Sequence, residues 1–242
     1  MPANNQLLYS VGLSIVLLAT ASCTGDDPVT SEGTTPSADA TNEVQVLDAG
    51  RGSPEKPVPL DPGRYAIPFF GAADAAPWGE VEVPTGWAQD RLHLATGQEL
   101  DPHLRRVEFL TADSVAADPC EGVLQPVPAK VTGIVTALGE QRTVRPSAAR
   151  PVSIDGYSGR SMLFRVPSQL DVEKCWDGQS LKPLGLGSSY TSVFPGWTYR
   201  IWILDAAGDP LLIMAAHGPK TTPDELAELT AMVEGITFVA PR

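Results

Sequence analysis

The sequence predicts an α+β domain: an antiparallel sheet covered by two helices on one side. Three observations carry that expectation. Short runs with period-2 alternation recur between turn residues, as in Gly79-Glu80-Val81-Glu82-Val83, the mark of a half-buried strand. The period changes in mid-chain, where Val131, Ile134, Val135 and Leu138 fall at i, i+3, i+4 and i+7, one face of a helix. It changes again near the C-terminus at Leu226, Leu229 and Val233. Runs of strands with only two helices suit a sheet covered from one side.

Arg64 to Phe70 opens the domain as a strand interrupted by Pro68, which suits an edge position because proline cannot donate to a ladder. After the alternating strand that ends at Val83, Pro84-Thr85-Gly86 turns the chain. Arg91 to Ala95 and Arg105 to Leu110 follow as strands. The latter puts Val107 and Phe109 on one face and Arg106, Glu108 and Leu110 on the other. The first helix spans roughly Pro128 to Gln141. Pro151 to Ile154 and Ser161 to Val166 flank Gly156-Tyr157-Ser158-Gly159 as a hairpin. Trp197 to Leu204 and Pro210 to Ala216 form another around Asp205-Ala206-Ala207-Gly208-Asp209. Thr222-Pro223-Asp224-Glu225 then has the spacing of a capping box with proline in the first turn. Gly235 stops that helix, and Ile236 to Val239 make a short last strand.

Ahead of the domain lie two segments of different chemistry. Residues 1–22 read as a signal peptide. Leu7 to Ala21 holds no charged residue, and at about fifteen residues it is shorter than the roughly twenty that span a bilayer. Residues 23–57 read as a disordered acidic linker, rich in Asp, Pro, Ser, Thr and Gly and poor in large apolar side chains. Val44, Val46 and Leu47 are its one apolar cluster. Residues 58–242 then form a single domain.

Ala21 and Ser22 are small and precede Cys23. The pattern resembles the bacterial lipoprotein signal, Leu-(Ala/Ser)-(Gly/Ala)-Cys, although Thr20 stands where Leu is usual and no Lys or Arg precedes the apolar run. The resemblance implies a lipidated Cys23 at the mature N-terminus, with acyl chains such as palmitate holding the protein on the extracytoplasmic face of the cell membrane. The alternatives are an ordinary secretory signal with an incidental cysteine, or an uncleaved anchor. Cysteine arithmetic favours lipidation: of three cysteines, one is left over if two pair. Export to an oxidising compartment permits a disulfide between Cys120 and Cys175, and neither has a CxxC partner or a nearby His that would favour metal.

Val83-Pro84-Thr85-Gly86-Trp87, Ile154-Asp155-Gly156-Tyr157-Ser158-Gly159, Trp202-Ile203-Leu204-Asp205 and the closing helix to Ile236-Thr237-Phe238 carry a second resemblance. They resemble uncharacterised actinobacterial secreted lipoproteins, and the order of elements is similar to the PsbP-like α+β sandwich. What this implies is an accessory or binding protein of the cell surface, with no catalytic residues to carry over.

The residues themselves offer little chemistry. Seventeen basic against 29 acidic residues, with no Lys/Arg run, argue against nucleic acid and against docking on anionic headgroups. His93, His103 and His217 form no HExxH or close pair, so no metal site is expected. Gly156-Tyr157-Ser158-Gly159 lacks the spacing of a nucleophile elbow. Gly185-Leu186-Gly187-Ser188-Ser189 lacks the strand–turn–helix context of a phosphate loop and reads as a connection. Asp171, Glu173 and Asp177 around Cys175 do not have calcium-loop spacing. Trp197 and Tyr199 share a strand face opposite Trp202, which means burial on both sides or one face offered to a partner.

The expectation is therefore a membrane-anchored lipoprotein without catalytic residues or cofactor, whose domain binds a protein or an envelope component. A small-ligand-carrying or sensing module is the first alternative, and an envelope-acting hydrolase the second.

Overall fold

The computed structural model describes residues 43–241. The signal peptide, Cys23 and the first part of the linker lie outside the described residues. The first strands are β1 (Gln45–Val46), β2 (Val58–Pro59), β3 (Gly63–Ile67), β4 (Trp78–Val83), β5 (Ala88–Asp90) and β6 (His93–Ala95). β7 (Arg105–Leu110), β8 (Ser114–Ala116) and β9 (Leu124–Pro126) lead to helix α1 (Val131–Gly139). Then come β10 (Arg145–Pro146), β11 (Arg150–Ile154), β12 (Tyr157–Arg165), β13 (Leu184–Leu186) and β14 (Ser189–Tyr190). β15 (Thr198–Ala206), β16 (Asp209–His217), helix α2 (Pro223–Glu234) and β17 (Thr237–Val239) complete the chain.

These strands make three sheets. A nine-stranded sheet runs β10-β12-β15-β16-β7-β6-β5-β2, with β11 also paired to β12. A four-stranded sheet runs β1-β3-β4-β17, and another runs β14-β13-β8-β9. The nine-stranded sheet is apolar on both faces because β15 and β16 carry large side chains at every position from Ile201 to Leu204 and Leu211 to Met214. One face packs Val107, Phe109, Trp202 and Ile213 against Tyr65, Ile67 and Val81 of the first small sheet and Leu229 and Val233 of α2. The other packs Phe164, Ile201, Ile203 and Met214 against Ile134 and Leu138 of α1 and Val115 and Leu184 of the second small sheet.

The α+β expectation is thereby corrected. Strand takes up 40% of the described residues and helix 12%, so the fold is mostly β. The two helices pack into separate cores rather than jointly covering one side of a sheet. The reason lies in the short strands. β8, β9, β13 and β14 have only two or three residues each, too few to show any period, and together they form a complete sheet.

Several local expectations hold. Both predicted hairpins form, although the first turns at Asp155-Gly156 and places Tyr157, Ser158 and Gly159, expected in the turn, in β12; both two-residue turns have their central residues at positive φ, Asp155 and Gly156, then Ala207 and Gly208. That geometry matches the twist of the flanking strands. Thr222 and Glu225 close the capping box, the Glu225 carboxylate accepting from the Thr222 N–H at 2.8 Å. Three other expectations do not hold. The linker expected to reach residue 57 does not extend so far, because β1 pairs in parallel with β3 and Leu47 is buried. That same pairing gives β3 a neighbour on each side, so it is not an edge. Leu226, expected in the apolar stripe of α2, is exposed, and Met232 takes its place in the core.

Candidate functional site

Strand register alone gathers a polar cluster. Arg106 and Glu108 are two apart on β7 and so share a face. β6 pairs with β7 so that His93 lies opposite Glu108, and β5 pairs with β6 so that Asp90 lies opposite His93. Opposed residues of an antiparallel pair point the same way. Asp90, His93, Arg106 and Glu108 therefore converge at one edge of the nine-stranded sheet, on the same face as Leu110.

Arg106 is the hub. Its Nη2 donates to Asp90 Oδ2 at 2.7 Å and to His93 Nδ1 at 2.6 Å. Its Nη1 lies 3.6 Å from Glu99 Oε1 and its Nε 3.1 Å from Glu108 Oε1. Because a guanidinium only donates, His93 Nδ1 must accept, which leaves Nε2 to carry the ring proton. Asp90 is 2% exposed. Burial by itself would raise its carboxyl pKa, but the His93 imidazole and the Arg106 charge outweigh that and hold it below the ordinary range. Asp90 Oδ1 has no hydrogen-bond partner in the structure.

This cluster lines a cavity of about 510 Å³. The opposite wall is the segment from Gly185 to Ser192, which brings Ser188, Ser189, Tyr190, Thr191 and Ser192 to the cavity. The glycine-rich stretch that reads as a mere connection is this wall. It is held in place by Asp113, whose carboxylate accepts from Gly187 N–H at 3.0 Å, and by a close fit in which a Cβ on Gly71 would collide with Leu186. Phe70 and Leu110 add apolar lining. Thr191 Oγ1, like Asp90 Oδ1, is buried without a partner. A smaller cavity of about 310 Å³ beside Pro77 and Trp78 has Asp74 as its one charged lining residue among those described.

Trp176 and Tyr190 stand at the rim, 52% and 41% exposed, with ring centres 5.8 Å apart. The Lys182 ammonium sits over both rings, 2.9 Å from the centre of Trp176 and 3.6 Å from that of Tyr190, an attraction of cation for ring quadrupole. The disulfide between Cys120 and Cys175, with Cα atoms 4.6 Å apart, anchors this rim. Trp176 N–H donates to Cys120 O at 2.9 Å. Trp87, Trp197 and Trp202 are all buried, so aromatics on both faces of β15 mean two-sided burial.

The remaining sequence candidates are placed apart from the cavity. His103 is exposed near Asp101. His217 ends β16 with Nδ1 3.3 Å from Gly218 O. Asp171 pairs with Lys174, and Asp177 accepts from the backbone of Gln179 and Ser180. Among the described residues no group of three His, Cys, Asp or Glu side chains has the arrangement to hold a metal ion.

No protein-family model matches this chain, and no curated protein matches it in sequence. Among solved structures, LpqN, described as involved in cell envelope biogenesis of Mycobacterium tuberculosis, is a distant neighbour. The match has a TM-score of 0.33 and 14% identity, and covers 73% of this chain and 91% of that one. A likeness at that TM-score carries no argument about what this chain does.

His217, apart from the cavity, gives the fold a pH signature of its own. Burial disfavours its charged form, the Arg165 charge acts in the same direction, and together they outweigh the hydrogen bond to Gly218, so its folded pKa lies below 6.5. Between the two values the unfolded chain binds more protons, so stability is full above the unfolded pKa and falls as pH drops through it. Urea midpoints measured between about pH 7 and pH 5 should decline, and His217→Gln should flatten that decline. An equal slope in the variant refutes the assignment.

Proposed function

We propose that this protein is a lipid-anchored binding protein of the extracytoplasmic membrane face, and that its cavity holds a small polar ligand. The observation that carries the reading is the cavity itself. Its volume falls within the range of small-molecule sites, and its lining combines charged and hydroxyl side chains with the apolar Phe70, Leu92, Leu110 and Leu186.

Anchoring rests on Cys23. The disulfide uses the other two cysteines, so the thiol behind the small residues Ala21 and Ser22 is the one left for acylation. Cys23→Ala is expected to move the protein from the membrane fraction to the soluble one and to abolish incorporation of labelled palmitate. Labelling that persists in the variant would disprove the anchor.

Ligand binding is tested on the full-length protein taken from membranes in mild detergent. Native mass spectrometry should show a small molecule that leaves on unfolding. Ser189→Trp, which adds bulk at an exposed position of the cavity wall, should reduce its occupancy. A molecule retained equally by that variant would place binding elsewhere.

A further inference from the structure

Resting on the lipid anchor in that reading, we infer that the aromatic rim is a membrane-docking surface, which seats on the zwitterionic interface of the bilayer that holds Cys23. The register of the small sheet builds this surface. Tyr190 lies opposite Gly185, Gly185 opposite Ser114, and Ser114 opposite Pro126, so these four point to one side. Leu124, two residues from Pro126, shares that side and lies so close over Gly185 that a Cβ there would collide with it. The other side of the sheet carries Val115 and Leu184 into the core. Trp176 adjoins Tyr190 and packs on Gly122, where a Cβ would collide with its ring. Val123 follows, 61% exposed. Of the seven large apolar side chains exposed among the described residues, Val123, Trp176 and Tyr190 therefore stand together. The Cys120–Cys175 bond and the seat on Gly122 hold them in place before anything docks.

Two observations choose the occupant. The first is where the tether ends. Residues 23–48 join the anchor to Ala49, and Ala49 is exposed and lines the same cavity as Tyr190. The chain thus enters the domain at the cavity mouth that the rim borders, and it holds that mouth no more than about 90 Å from the lipid. A surface tethered in this way meets the bilayer at an effective concentration on the order of a millimolar, so weak partition is enough to seat it.

The second is charge. The ionic groups beside the rim are matched among themselves: Glu121 with Arg142, Asp171 with Lys174, and Lys182 with Asp177 as its charge neighbour. Glu173 adds one further exposed carboxylate, and the whole chain carries a formal charge of −12. An anionic surface is therefore repelled, and carboxylates that already have their cations offer little to a basic partner. What remains is apolar and aromatic. Tryptophan and tyrosine join a polar N–H or O–H to an apolar ring and concentrate at the level of the lipid headgroups, and the aliphatic Val123 and Leu124 suit the acyl boundary below it. Docking there turns the cavity mouth toward the membrane, because Tyr190 borders both.

The test uses the full-length protein held by its own anchor in phosphatidylcholine vesicles, with and without brominated acyl chains that quench tryptophan on contact. Flotation reports the anchor and quenching reports the rim. The wild type should float, and its emission should fall in the brominated vesicles, since Trp176 is the most exposed tryptophan. Trp176→Phe should lose that fall. Val123→Glu should lose it too, with the melting temperature unchanged. Leu226→Glu, at an exposed position of the helix that packs into the other core, should keep it. High salt should leave the quenching as it was, because screening weakens only attraction between charges. Protein that floats without being quenched keeps its anchor and overturns the docking surface. Quenching that persists in Trp176→Phe or Val123→Glu overturns it as well, as does quenching that requires phosphatidylglycerol and vanishes in salt. Emission that shifts to the blue as protein density rises, with no quenching, gives the rim to a second copy of the chain instead. Wild-type protein that does not float removes the anchor, and the docking with it.

Discussion

Arg106→Leu should destabilise the protein by about 3–5 kcal/mol, the usual cost of breaking a buried ion pair from one side. The guanidinium side chain is 12% exposed, that of Asp90 is 3% and that of Glu108 is 11%. Without the guanidinium, two nearly buried carboxylates would face each other unpaired. The loss should reside in those charges rather than in packing. Arg106→Leu combined with Asp90→Asn and Glu108→Gln should therefore recover much of it, since removing every member of a buried ionic group is often nearly neutral. Arg106→Lys should fall in between, because an ammonium cannot reach Asp90, His93 and Glu108 in the geometry of a planar fork. Urea unfolding of the four proteins decides the matter. A triple variant as unstable as Arg106→Leu would mean that the cluster is held together by something other than its charges.

Loss of the disulfide is the other large expected effect. The bond closes a loop of 55 residues, worth about 4 kcal/mol in the chain-entropy model. For a domain of this size that corresponds to a fall in melting temperature of about 8–16 °C. Cys120→Ser with Cys175→Ser, or reductant added to the wild type, should show it by circular dichroism. The bond also has a local consequence. Trp176 hydrogen-bonds to the Cys120 carbonyl and shares the Lys182 ammonium with Tyr190. Tryptophan emission should therefore shift to the red on reduction below the melting range, because Trp176 would lose its neighbours while the buried tryptophans keep theirs. A spectrum unchanged by reduction would separate the rim from the disulfide.

The cavity shows why some of this was legible in the sequence and some was not. Arg106 and Glu108 are visibly alternate residues of one strand, and their common face needs no structure to see. That His93 lies opposite Glu108, and Asp90 opposite His93, depends on the pairing of β5, β6 and β7. Pairing partners are not written in a single chain. The one available signal was a strand with charged residues on the face it shares with Leu110. The Gly185 to Ser192 wall carries no periodic pattern, because its strands are too short to show one. Nothing in the sequence beside Cys175 marks Trp176 as the most exposed tryptophan, because exposure depends on what packs over a residue.

Local patterns determined the parts of this protein whose partners are near in sequence. The capping box at Thr222, the one-sided stripe of α1 and the turns at Asp155-Gly156 and Ala207-Gly208 follow from interactions within a few residues. Tertiary structure alone decided that β15 and β16 separate two cores, that the helices belong to different ones, and that three strands and a distant hairpin enclose one cavity. The physical reason is that burial on both faces of a sheet, and the register between its strands, are set by contacts across long stretches of chain. Periodicity reports only which way each side chain points along its own strand.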